Sequence, residues 1–193
     1  MVMLMSIDKA INSVGIKDEI KIIKIKYGFE IIKNESIKLV ILLIIFLCVG
    51  MVPEFIFASF VLLPMRFFAG GLHMNSNITC FLFSLGFFLL AIFVSPLVLM
   101  NQILAVSLLS LSAIIIVFLS PIASQKRPIS TKERYKFLKR NACVLTIIEF
   151  IVLLIILRMM PYNFFLIGVW IFCLQAVQMI VSKIILIRKG ISK

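Results

Sequence analysis

The sequence predicts an all-α integral membrane protein, and three observations carry that prediction. Of 193 residues, 63% are hydrophobic and only 15% charged, against about 45–50% and about 25% in a soluble domain. Four apolar stretches, residues 80–100, 103–122, 142–160 and 163–181, each come close to the roughly 20 residues that a helix needs to cross about 30 Å of hydrocarbon. Apart from Glu149 and Arg158, charge falls outside these stretches, and Lys and Arg number 20 against 8 acids, a net charge of +12. Such an excess raises nucleic acid as a partner, but in a membrane protein Lys and Arg collect in cytoplasmic connections beside anionic lipid, so no nucleic acid is expected.

The elements follow in order. In residues 1–37, Ile7, Ile11, Val14, Ile20, Ile23, Tyr27 and Ile31 recur mostly at helical spacings with lysines between, which favours an amphipathic helix lying in the membrane interface. A partly ordered basic tail is the plainer alternative, and no cleavable signal peptide is expected because a continuous short apolar run is missing. Residues 37–63 form a fifth apolar stretch, interrupted by Gly50, Pro53 and Glu54. The loop at residues 123–141 carries Lys126, Arg127, Lys132, Arg134, Lys136, Lys139 and Arg140 against the single acid Glu133, which marks it as cytoplasmic.

Counting back two spans puts residues 66–79 on the same side, and the N-terminal lysines belong there too. The interrupted stretch must therefore cross an even number of times. It reads as two short helices, residues 38–50 and 55–63, turning at Pro53, or as a re-entrant hairpin of the same sidedness. The result is a single membrane domain of about six transmembrane segments. Helical hairpins lie at residues 80–122 and 142–182, and a basic tail follows at 183–193.

Chemistry concentrates in residues 64–80, P-M-R-F-F-A-G-G-L-H-M-N-S-N-I-T-C. Backbone and side chains this polar persist at membrane depth only when buried in protein or lining a wet cavity. Cys80 and the only histidine, His73, are a candidate nucleophile and base. In one continuous helix, seven residues would separate them by about 10.5 Å along the axis. The chain must therefore turn between them, and Asn75, Ser76 and Asn77 are suited to that. Cys80 would then open a helix, where the positive end of the dipole favours an anion. Spacing alone leaves a second reading open, an interfacial histidine and a small apolar cysteine. One His and one Cys leave a zinc site two ligands short, so no metal or other cofactor is expected. Cys48, Cys143 and Cys173 lie in apolar runs and read as packing residues. Glu149, an acid inside a span, invites a partner or a role that the sequence does not assign.

At this segment the chain resembles the accessory gene regulator B (AgrB) family, membrane cysteine endopeptidases of Gram-positive quorum-sensing systems. The family pattern is an arginine, then a glycine, one residue, a histidine and, seven positions later, a cysteine. Arg66, Gly70, Gly71, His73 and Cys80 stand in that order and spacing. The block S-P-I-A-S-Q-K-R-P-I at residues 120–129, with the basic run to Arg140, is similar to the family's proline-bearing basic loop. Tyr27 and Gly28 resemble its N-terminal region.

The resemblance implies that His73 and Cys80 are catalytic and that Arg66, Gly70 and Gly71 support them. It implies a short signal propeptide (AgrD-like) with an acidic C-terminal tail as partner, cleaved through a thioester and cyclised to a thiolactone. It further suggests a homodimer in the bacterial cell membrane, cutting at the cytoplasmic face. The basic residues from Lys126 to Arg140 are explained by topology and are also candidates for holding the acidic tail. The rival reading is a non-enzymatic transporter or peptide exporter, with Glu149 and the polar segment lining a path.

Overall fold

Glycines and side-chain caps set several of the helix boundaries. The structure, a computed structural model, describes residues 19–72, 76–98, 100–122, 129 and 131–188. These form helices α1 (Glu19–Val49), α2 (Val52–Ala69), α3 (Asn77–Leu89) with a π-helical continuation (Leu90–Val94), α4 (Gln102–Leu119), α5 (Lys132–Met159) and α6 (Tyr162–Arg188). No strand occurs among the described residues, and the all-α membrane class predicted from composition is observed.

The chain divides into residues 1–48 and 49–193. In the first unit, α1 runs unbroken for 31 residues, about 46 Å at 1.5 Å per residue. The sequence suggested an interfacial helix followed by a separate short one starting at residue 38. No junction exists there, because residues 33–38 contain neither Gly nor Pro and Lys38 pairs with Glu35 one turn back at 2.9 Å. The part of the proposed interfacial helix before residue 19 lies outside the described residues, as does the tail beyond Arg188.

Among the described residues five helices, all in the second unit, are long and apolar enough to cross a membrane: Val52–Ala69, Asn77–Val94, Gln102–Leu119, Lys132–Met159 and Tyr162–Arg188. α2 corrects an expected boundary. Pro53, expected in the turn between two short helices, lies in its first turn instead, and the helix passes through Pro64 and ends at Ala69. Its 18 residues reach about 27 Å, enough to span where nine residues were expected. A proline inside a membrane helix is tolerated when neighbouring helices re-satisfy the freed backbone, and α2 packs against α4, α5 and α6. Arg66 therefore sits on a helix rather than in the polar loop. α5 is likewise longer than expected. The Thr131 hydroxyl accepts from Arg134 N at 3.2 Å, and Glu133 lies in the first turn. This cap starts the helix ten residues before the apolar run, so Lys132 to Arg140 are helical rather than loop.

α6 is the central element, with 61% of its most apolar window buried against 17–39% for the other spans. It packs on α2, α4, α5 and the π-helical turn, around Phe165, Ile167, Ile171 and Phe172, all wholly buried. Gly168 permits the closest approach: a Cβ there would overlap the buried Leu153 side chain of α5. Outward positions such as Phe60, Ile103 and Phe118 are apolar and largely exposed, as lipid contact requires.

Helix ends gather at two poles. At one, Tyr162 Oη donates to Met100 O at 2.9 Å and Phe57 meets Phe164 edge-on at 5.5 Å. At the other lie the end of α2, the starts of α3 and α5, and the ends of α4 and α6. The second pole carries Arg66, Lys132, Arg134, Lys136, Lys139, Arg140, Lys183 and Arg188 with Glu133, while Glu54 and Arg158 are at the first.

Candidate functional site

Three segments converge at the basic pole. α2 ends because Gly70 adopts φ 81° and ψ −164°, a conformation essentially reserved for glycine. Gly70 N donates back to Arg66 O at 3.2 Å. Next to it, Ile122 N donates to Ala69 O at 3.0 Å, and a Cβ on Gly70 would lie 2.6 Å from Ile122 O. The start of the basic loop, just after Ser120 and Pro121, is thereby pinned to the exit from α2. From the other side, Gln175 Nε2 of α6 donates to Gly70 O at 2.9 Å, and Gln178 Nε2 donates to Gln175 Oε1. A Cβ on Gly71 would meet the Gln178 amide at 3.3 Å. Gly70 is required by close approach to backbone, whereas a side chain at Gly71 would ask the Gln178 amide to give by a few tenths of an ångström.

Arg66 links this segment to the cysteine helix. Its Nη2 donates to Leu72 O at 3.3 Å, and its guanidinium lies 5.9 Å from the Phe83 ring centroid, within cation–π range. Leu72 immediately precedes His73, and Phe83 is one helical turn beyond Cys80. Cys80 itself is in the first turn of α3, which the sequence placed as a helix start after a turn. Ser76 is the N-cap: its Oγ accepts from Thr79 N at 3.1 Å, and its carbonyl accepts from Cys80 N at 3.1 Å. The thiol is partly exposed.

Of the residues singled out in the sequence, Arg66, Gly70 and Gly71 are thus brought together, with Cys80 tied to them through Phe83. His73, Lys126 and Arg127 lie outside the described residues. Lys132, Arg134, Lys136 and Arg140 are exposed on the first turns of α5. Lys139 turns inward and donates to the carbonyls of Val117 and, at 3.3 Å, Phe118, closing the C-terminus of α4. Glu149 lies ten residues, about 15 Å, further along α5 than Lys139, away from the glycine segment. Cys173 accepts a hydrogen bond from Ser112 at 3.3 Å, a packing contact between α6 and α4. Among the described residues no three His, Cys, Asp or Glu side chains are grouped to hold a metal.

Residues 5–179 match the family described as Accessory gene regulator B. The chain belongs to that family. An AgrB-like protein of Clostridium beijerinckii is 27% identical over 163 residues, 83% of this chain and 77% of its own length. AgrB-like proteins of Listeria welshimeri and Listeria monocytogenes are 29% and 30% identical over 131 residues, 68% of this chain. The matched region spans 64% of the length of these Listeria relatives. No solved structure matches the chain. The matched residues include all of Arg66 to Cys80 and both glutamines. Sequence reasoning passed over Gln175 and Gln178. Their signal was present as two amides at i and i+3, with Ser182 four residues on, all on one face of an apolar span.

Proposed function

We propose that the chain is a membrane-embedded cysteine endopeptidase that cleaves a short signal propeptide and closes its product into a thiolactone. The observation that supports this best is the double engagement of Arg66, which joins the residue before His73 to the helix carrying Cys80. Two chain segments that must cooperate in catalysis are thereby held by one side chain.

In the proposed reaction His73 takes the Cys80 proton as the thiolate sulfur attacks the scissile carbonyl. The tetrahedral intermediate collapses, the C–N bond breaks, and the imidazolium returns the proton to the leaving amine. The N-terminal fragment is now a thioester on Cys80. A cysteine within that fragment then attacks the thioester carbonyl, its sulfur replaces that of Cys80, and its proton returns to Cys80 through His73. One thioester replaces another, so ring closure needs no external energy and competes with hydrolysis where water is excluded. The exposed charges at Lys132, Arg134, Lys136 and Arg140, with Lys126 and Arg127, attract the acidic tail of the propeptide. By the positive-inside rule this pole faces the cytoplasm, and the working form is a homodimer in the cell membrane.

Coexpression with the propeptide encoded by a neighbouring short reading frame, followed by mass measurement, tests the proposal. The expected products are a free C-terminal fragment and an N-terminal fragment lighter than its linear acid by one water. Processing that survives Cys80→Ala would overturn it.

A further inference from the structure

A primary amide in a membrane span is costly unless its donors and acceptor are used. Gln175 is wholly buried and Gln178 is 4% exposed, yet their bonding is directional and incomplete. Gln175 spends its amide N–H on Gly70 O and its oxygen on Gln178 Nε2. Gln178 packs its amide against Gly71 and keeps a buried Oε1 with no hydrogen-bond partner among the described residues. Packing alone would be served by two apolar side chains of the same size, which bury no unpaired oxygen. These amides instead point a donor at the Gly70 carbonyl and fill the space that Gly71 leaves open.

We infer that Gln175 and Gln178 are positioning residues of the peptidase, holding the Gly70–Gly71 backbone in register so that His73 meets Cys80. The inference rests on the Cys80/His73 reading proposed above. Its physical basis is the short tether: His73 is two residues beyond Gly71, at most about 7 Å of chain, so a displacement at Gly71 is passed on rather than absorbed. Cys80 is fixed separately by the Ser76 cap on α3. Arg66 serves both segments, and the α6 amides add a hold on the two glycines that precede His73. A misplacement of about 1 Å between reacting groups costs about 100-fold in rate.

The test uses the full chain in lipid vesicles with its propeptide, comparing wild type with Gln175→Met and Gln178→Met, both near-isosteric. Gln175→Met is expected to lower kcat about 100-fold with KM within about twofold, and the double variant to be no slower than Gln175→Met, because the amides act in series. Cys80 alkylation by iodoacetamide, followed by peptide mass mapping, is expected to slow in both variants to the rate of His73→Ala. If Gln175→Met does not accumulate in the membrane, Gln178→Met decides, since it leaves the Gly70 hydrogen bond in place and is expected to lose at least about tenfold in kcat. A wild type that processes propeptide while the variants keep its kcat and alkylation rate overturns the positioning role alone. A wild type that leaves the propeptide intact, with Cys80 alkylated equally fast in His73→Ala, overturns the peptidase reading and this inference with it.

Discussion

Gly70→Ala isolates the contact on which the site is assembled. Two costs combine. The backbone at φ 81° and ψ −164° is a region that a Cβ-bearing residue occupies at about 1–3 kcal/mol. The new methyl also lies 2.6 Å from the Ile122 carbonyl oxygen, a backbone atom that cannot swing aside as a side-chain tip would. Relief requires the 69–70 and 122 segments to part, which sacrifices the 3.0 Å bond from Ile122 N to Ala69 O, worth about 1 kcal/mol. The sum is about 2–4 kcal/mol. Gly71→Ala is the control: its Cβ meets only the Gln178 side chain at 3.3 Å, and the expected loss is below about 1 kcal/mol. Equilibrium unfolding in mixed micelles with increasing dodecyl sulfate measures both. If Gly70→Ala unfolds at the wild-type midpoint, or if the two alanines cost the same, the reasoning from close approach is wrong.

Two further outcomes follow from contacts elsewhere. Arg66→Gln is expected to reduce propeptide cleavage at least about tenfold while leaving the folded fraction unchanged, because a partly exposed charge-assisted hydrogen bond and cation–π contact are lost together; cleavage kinetics alongside circular dichroism would decide it. Gly168→Ala is expected to destabilise the bundle by about 1–3 kcal/mol through overlap with Leu153, and adding Leu153→Ala is expected to recover part of that loss, a non-additivity that a double-mutant cycle in micelles reads directly.

Span type was legible because lipid imposes one requirement on every residue of a segment, so 18 or more apolar positions carry a redundant message. Helix ends were less so. Pro64 reads as a stop in water, yet α2 passes it because packed neighbours accommodate it. The basic run from Lys132 reads as loop by charge, yet lysine, arginine and glutamate are good helix formers once Thr131 supplies the cap. At the site, the order of Arg66, Gly70, Gly71 and Cys80 was visible, but the reason for two glycines was not. That reason comes from Ile122 and Gln178, which are 51 and 107 residues away from Gly71 in sequence. Local pattern does not encode a steric limit set by distant chain.

The bond between Ile122 N and Ala69 O also bears on how this family is best recombined. Residues 120–122 and 69–72 share one steric envelope, with a carbonyl on one side shaped to the missing Cβ on the other. A basic loop transplanted from a relative brings its own version of that envelope, and grafting residues 120–140 alone would set a foreign carbonyl against a native glycine. Chimeras that exchange both strips together preserve the fit, so the smallest interchangeable module here is discontinuous in the gene although contiguous in space.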